Sequence, residues 1–74
     1  MIDITHDLEA DAVYISLARG RIDATDEIAP NAFVDRDSEG KIVGIEILTA
    51  SKVLAPGSWQ QARMPGNKDV EAAE

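Results

Sequence analysis

The sequence contains no cysteine, which removes disulfide frameworks, thiol nucleophiles and cysteine-ligated zinc in one step. Aromatic residues are nearly absent: Tyr14, Phe33 and Trp59 are the full set, too few for a platform on which successive bases stack. Cations are scarce too. Seven Lys and Arg stand against fourteen Asp and Glu, a net charge of −7, and phosphate affinity scales with the cations that neutralise it. Arg19 and Arg21 flank one turn and Arg36 and Lys41 another, with no basic stripe, so no nucleic acid is expected as a partner. No apolar run approaches the roughly 18–20 residues of a membrane helix, and Met1-Ile2-Asp3 lacks the basic-then-apolar plan of a signal peptide. The expectation is a cytoplasmic protein without a membrane contact. Its 74 residues suit one small domain and not two cores.

What is present is strand divided by turn chemistry. Ile2 and Ile4 alternate with Asp3 and Thr5, and Val13, Ile15 and Leu17 alternate with Tyr14 and Ser16, the period-2 pattern of strands with one buried face. Asp7-Leu8-Glu9-Ala10-Asp11 between them reads as a tight turn opened by an aspartate. A second turn at Arg19-Gly20-Arg21 leads to a strand over residues 22–28. Pro30-Asn31 interrupts the chain again, since proline presets φ and asparagine tolerates the conformation that follows. Then Ala32 to Asp37 and Lys41 to Leu48 form a hairpin about Asp37-Ser38-Glu39-Gly40. With Arg36 opposite Lys41, Val34 faces Val43 and Ala32 faces Ile45, while Phe33 falls opposite Gly44. Ala50-Ser51-Lys52-Val53-Leu54 supplies one helical turn before Pro56-Gly57.

The predicted fold is mainly β: a small antiparallel meander of four or five strands with a short C-terminal helix. Residues 1–54 make the single β domain and 55–74 a C-terminal tail or arm. Apolar residues fall on both faces of the sheet. Tyr14, Phe33, Ile42 and Leu48 share the second face, and with Trp59 they are the expected interface. Trp59 has an alternative role, folding back over that second face. A domain near 60 residues buries only about 60% of its unfolded surface, so a homodimer is expected, with a further protein partner as an option.

Two acidic clusters could hold a divalent cation. Asp35-Arg36-Asp37-Ser38-Glu39-Gly40, followed by Glu46, has the carboxylate and glycine spacing of a calcium loop. The flanks are strands and not helices, and Glu46, opposite Asn31 in the predicted register, lies roughly 13 Å along the strand from Asp35 at about 3.3 Å per residue. Asp35, Asp37 and Glu39 alone remain as ligand candidates. His6, Asp7, Glu9 and Asp11 form the other cluster, with His6 and Asp11 its best metal or general-base pair. Thr5 and Ser16 are the nearby hydroxyls, and no nucleophile–base–acid order or phosphate loop accompanies them. No catalytic residue and no cofactor is expected.

The segments Asp7-Leu8-Glu9-Ala10-Asp11-Ala12-Val13-Tyr14-Ile15-Ser16-Leu17 and Phe33-Val34-Asp35-Arg36-Asp37-Ser38-Glu39-Gly40-Lys41-Ile42-Val43-Gly44-Ile45-Glu46-Ile47-Leu48, then Ala50-Ser51, resemble a domain-of-unknown-function family, DUF2283, of small, mostly prokaryotic proteins. Leu8 stands where such proteins often have proline. The resemblance covers most of residues 1–54 and implies no established activity. It implies stand-alone small proteins that sit beside toxin-like partners, and an acidic turn that is an ordinary hairpin signature. The expected function is a small non-enzymatic protein–protein interaction or regulatory module. The alternative is a weak divalent-metal-binding or hydrolytic domain built on the acidic turn residues.

Overall fold

A computed structural model describes residues 2–65. Turn chemistry sets the strand ends. The Asp7 carboxylate accepts the backbone N–H groups of Glu9 and Ala10 at 3.1 and 3.2 Å, and Asp11 takes a left-handed φ of 54°. This turn joins β1 (Asp3–Asp7) to β2 (Ala12–Ser16) as an antiparallel hairpin. Asn31, at φ 65°, closes the Pro30-Asn31 turn between β3 (Ala24–Ala29) and β4 (Ala32–Arg36). Gly40, at φ 83°, completes the turn from β4 into β5 (Ile42–Ile47). The helix α1 (Ala50–Val53) and a 3₁₀ turn over Ser58–Gln61 follow. The fold is mainly β, with all five strands antiparallel.

The strand order is β1-β2-β5-β4-β3, which corrects the simple meander. β2 pairs with β5, and residues 17–23 carry the chain past the end of the sheet to its far edge. The apolar positions of β5 account for this. In the centre, Ile45 and Ile47 gain cross-strand neighbours on both sides: Ile15 and Val34 for the first, Val13 and Ala32 for the second. The connection hugs the sheet, because a Cβ at Gly20 would come within 2.7 Å of the Val43 side chain.

The hairpin register also differs from the predicted one. Ala32 pairs with Ile47, Phe33 with Glu46, Val34 with Ile45 and Asp35 with Gly44, two residues further along β5 than the apolar pattern suggested. The turn is the cause. Asp37 N–H donates to the Lys41 carbonyl at 2.9 Å and Arg36 pairs with Ile42, so Val43 is left as an extra residue in a bulge. Its carbonyl accepts the N–H groups of Leu17 and Ala18 instead. A slip of two keeps each side chain on its face, so hydrophobic alternation cannot detect it.

One face carries the core. Val13, Ala32, Ile47 and Ala50 are buried together, with Ile15, Ile45, Leu54 and Trp59 packed around them. Ala50 is fully buried, so α1 closes this face. Trp59 lies here too, its ring 5.0 Å from that of His6 in an edge-to-face contact. It therefore covers the Val13–Ile47 face, not the second face. No helix among the described residues is long and apolar enough to cross a membrane.

Candidate functional site

Three features bring chemistry-bearing groups together. The first joins the β1–β2 turn to α1. His6, opposite Val13 in the sheet, is only 6% exposed. Its Nε2 is buried without a hydrogen-bond partner, 3.9 Å from Asp11 Oδ1. Asp11 is occupied elsewhere: its carboxylate accepts the Ser51 hydroxyl at 2.6 Å and the Ser51 N–H at 3.1 Å, and its carbonyl accepts the Ala50 N–H at 2.7 Å. The Ser51 hydroxyl bond, with smaller help from His6, holds the Asp11 carboxyl below its ordinary value. The carboxylate thus stands between hydroxyl and imidazole. In nucleophilic catalysis the base must touch the nucleophile, so this arrangement clamps α1 onto the hairpin and does not activate Ser51. Of the predicted cluster, His6 and Asp11 come together, while Asp7 turns into its own backbone and Glu9 is exposed.

The second feature lies on the opposite face. Asp35, 7% exposed, accepts the Tyr14 hydroxyl on Oδ2 at 2.9 Å and the Thr25 hydroxyl on Oδ1 at 2.7 Å. Gly44 lies beneath, where a Cβ would sit 1.9 Å from the tyrosine oxygen. Burial, then the Asp35 hydrogen bond and charge, push the Tyr14 hydroxyl up to about 12. Asp35 is thereby drawn away from its predicted companions. Asp37 accepts the N–H groups of Glu39 and Lys41 at 2.9 and 3.0 Å, and Glu39 is exposed. Among the described residues, no three His, Asp or Glu side chains converge as a metal-holding group. The Tyr14–Asp35–Thr25 bridge was missed because the predicted register set Gly44 opposite Phe33. The small residue opposite Asp35 was its signal.

The third feature is the pair of sheet edges. Beside β1, residue 63 forms a parallel bridge with Thr5: His6 N–H donates to the Arg63 carbonyl at 2.9 Å, and the Arg63 guanidinium pairs with Asp3. The chain thus occupies that edge itself at Thr5 and His6. At the other edge β3 has β4 as its one neighbour, and all six of its residues are exposed. Ile28 within it is 58% exposed, and Ile22, just before it, 51%. At the Ile22 end, Gly20, Arg21, Asp23, Asp37 and Ser38 help line an open groove of about 560 Å³.

Of the five expected interface residues, Trp59 and Ile42 leave the second face. Tyr14 is tied to Asp35, and Trp59 packs on the core face. The Val43 bulge sets Ile42, 42% exposed, opposite Arg36 and so on the Ala32–Val34 side. Phe33 stays half-buried on the second face, flanked by Glu46 and Glu27, and Leu48 is half-buried just past β5.

A family model described as a protein of unknown function (DUF2283) matches residues 3–51. The chain belongs to the DUF2283 family. The DUF2283 segment runs from the start of β1 to Ser51 in α1. It contains the Asp11–Ser51 clamp, the Tyr14–Asp35–Thr25 bridge and the whole β3 edge, while Trp59 and Arg63 lie beyond it. No curated protein and no solved structure matches the chain.

Proposed function

We propose that the chain is a small non-enzymatic protein–protein interaction or regulatory module of the cytoplasm. The supporting observation is the contrast between its two edges. A sheet edge displays a row of N–H and C=O groups that another chain can pair with. Here residue 63 bridges one edge at Thr5, whereas the other is exposed along its full length. Adding a strand to such an edge is a recurrent mode of peptide recognition, in which the backbone supplies affinity and flanking side chains supply specificity. The polar clusters favour the same reading, because their carboxylates are engaged in holding turns and strands together.

The test is photo-crosslinking in cells that make this chain, with a photoreactive residue at Ile22, Glu9 or Lys52 in turn. A saturable one-to-one adduct with a different protein is the expected outcome. Recovery of the chain alone, or joined only to itself, would overturn the reading.

A further inference from the structure

We infer that the β3 edge docks an extended basic segment of a partner protein, which adds to the sheet as a sixth strand. This rests on the interaction reading above and names the surface and the chemistry of its occupant.

Charge selects the occupant. Residues 21–30 hold one cation, Arg21, against Asp23, Asp26 and Glu27. Asp26 is paired with Arg36 at 2.8 Å, whereas Asp23 and Glu27 make no ion pair among the described residues. Asp37 lines the same end groove as Asp23, with Arg21. Its Oδ1 is held by the Glu39 and Lys41 N–H groups, so the groove offers the Asp23 carboxylate and Asp37 Oδ2 to a Lys or Arg reaching past the strand. Ile22, just before the strand, and Ile28, within it, offer apolar contacts toward either end.

A second copy of this chain fits the edge poorly. Antiparallel two-fold pairing of β3 with itself puts residues of equal position number parity opposite one another, about 5 Å apart. Centred on Thr25, it sets Glu27 against Asp23 of the other copy. Centred on Asp26 or Glu27, it sets that carboxylate against itself. Like charges directly opposite destabilise a strand pair. A pairing centred on Ala24 sets Glu27 against Arg21 of the other copy, but every pair beside the central one then uses residues 21–23, outside the strand, whereas the Thr25-centred one needs only Asp23 from there. One centred on Ile28 meets a bulge between Glu27 and Ala29. The same bulge confines the regular docking stretch to Ala24–Glu27. Basic side chains on an incoming strand reverse the sign of each of these contacts.

The experiment uses the full chain and capped six-residue peptides alternating Lys with Val, or Glu with Val as control. Amide NMR follows the titration. The expected result is saturable binding of the Lys peptide, with shifts concentrated in residues 22–29 and none for the Glu peptide. N-methylating alternate residues of the Lys peptide should abolish binding in one phase and spare it in the other, which charge attraction alone cannot do. Asp23→Lys with Glu27→Lys should weaken the Lys peptide at least tenfold and admit the Glu peptide. Shifts centred elsewhere, equal binding of both N-methylated sets, or no saturable binding would overturn the inference. So would a β3-paired dimer of this chain in sedimentation. A crosslinked partner attached at another surface would overturn the edge yet leave the interaction reading standing, whereas no partner adduct at any position would overturn both.

Discussion

The Tyr14 hydroxyl donates to Asp35 across the backbone of Gly44 at 2.9 Å, linking β2 to β4 over the central strand. With Thr25 it satisfies both oxygens of a carboxylate that is almost fully buried. Tyr14→Phe leaves Asp35 Oδ2 without this donor and is expected to lower stability by about 1–3 kcal/mol. Gly44→Ala should cost at least as much, because its methyl displaces the tyrosine. Urea denaturation checks both, and variants within 0.3 kcal/mol (about the error of such a comparison) would contradict the bridge.

Burial of Tyr14, together with this bond, sets an alkaline limit. The Tyr14 proton is held to about 12 in the folded chain against 10.0 when unfolded. As pH rises between these values the unfolded form loses its proton first, so stability falls through that window. Below it Tyr14 contributes no pH dependence. The stability difference between wild type and Tyr14→Phe should therefore shrink from about pH 10 to 12. A constant difference would contradict the shift.

Asp11 behaves in the opposite sense. Its folded carboxyl is depressed, chiefly by Ser51, so it contributes stability above its ordinary value of 3.8 that is lost as pH falls through the depressed one. Ser51→Ala should raise the Asp11 carboxyl toward 3.8, read from its side-chain carbon shift during an acid titration. An unmoved midpoint would assign the depression to another cause.

Trp59 lies beyond the family segment yet packs on the core beside His6. Trp59→Ala should destabilise the chain by about 2 kcal/mol, below the 3–5 typical of a fully buried Trp, since the ring is half-buried. The His6 ring protons should shift in the same variant. Unchanged stability would detach residues 58–63 from the core.

The strands and turns were legible because Asp7, Asn31 and Gly40 stand where the backbone needs a side-chain acceptor or a positive φ. The central place of β5 was not, since alternation identifies a strand's faces and not its neighbours. The two-residue register slip was hidden for the same reason: Val34 meets an apolar partner either way, Ile45 in the true pairing and Val43 in the predicted one. That slip concealed the Tyr14–Asp35 bridge. His6 and Asp11 were grouped correctly by proximity, but Ser51, forty residues from Asp11, could not be attached without the fold. The exposed β3 edge was illegible for a further reason. Its Asp26, Glu27 and Ile28 look like any outward strand until the strand order shows that nothing lies beyond them.

The most direct test of the docking edge is amide hydrogen exchange of residues 23–28, with and without the saturating Lys–Val peptide. In the chain alone, alternate β3 amides point to solvent and should exchange fast, while their neighbours, bonded to β4, exchange slowly. Binding should slow the fast set at least tenfold and leave β1 amides unchanged. Fast exchange that persists along β3 in the bound state would contradict strand addition.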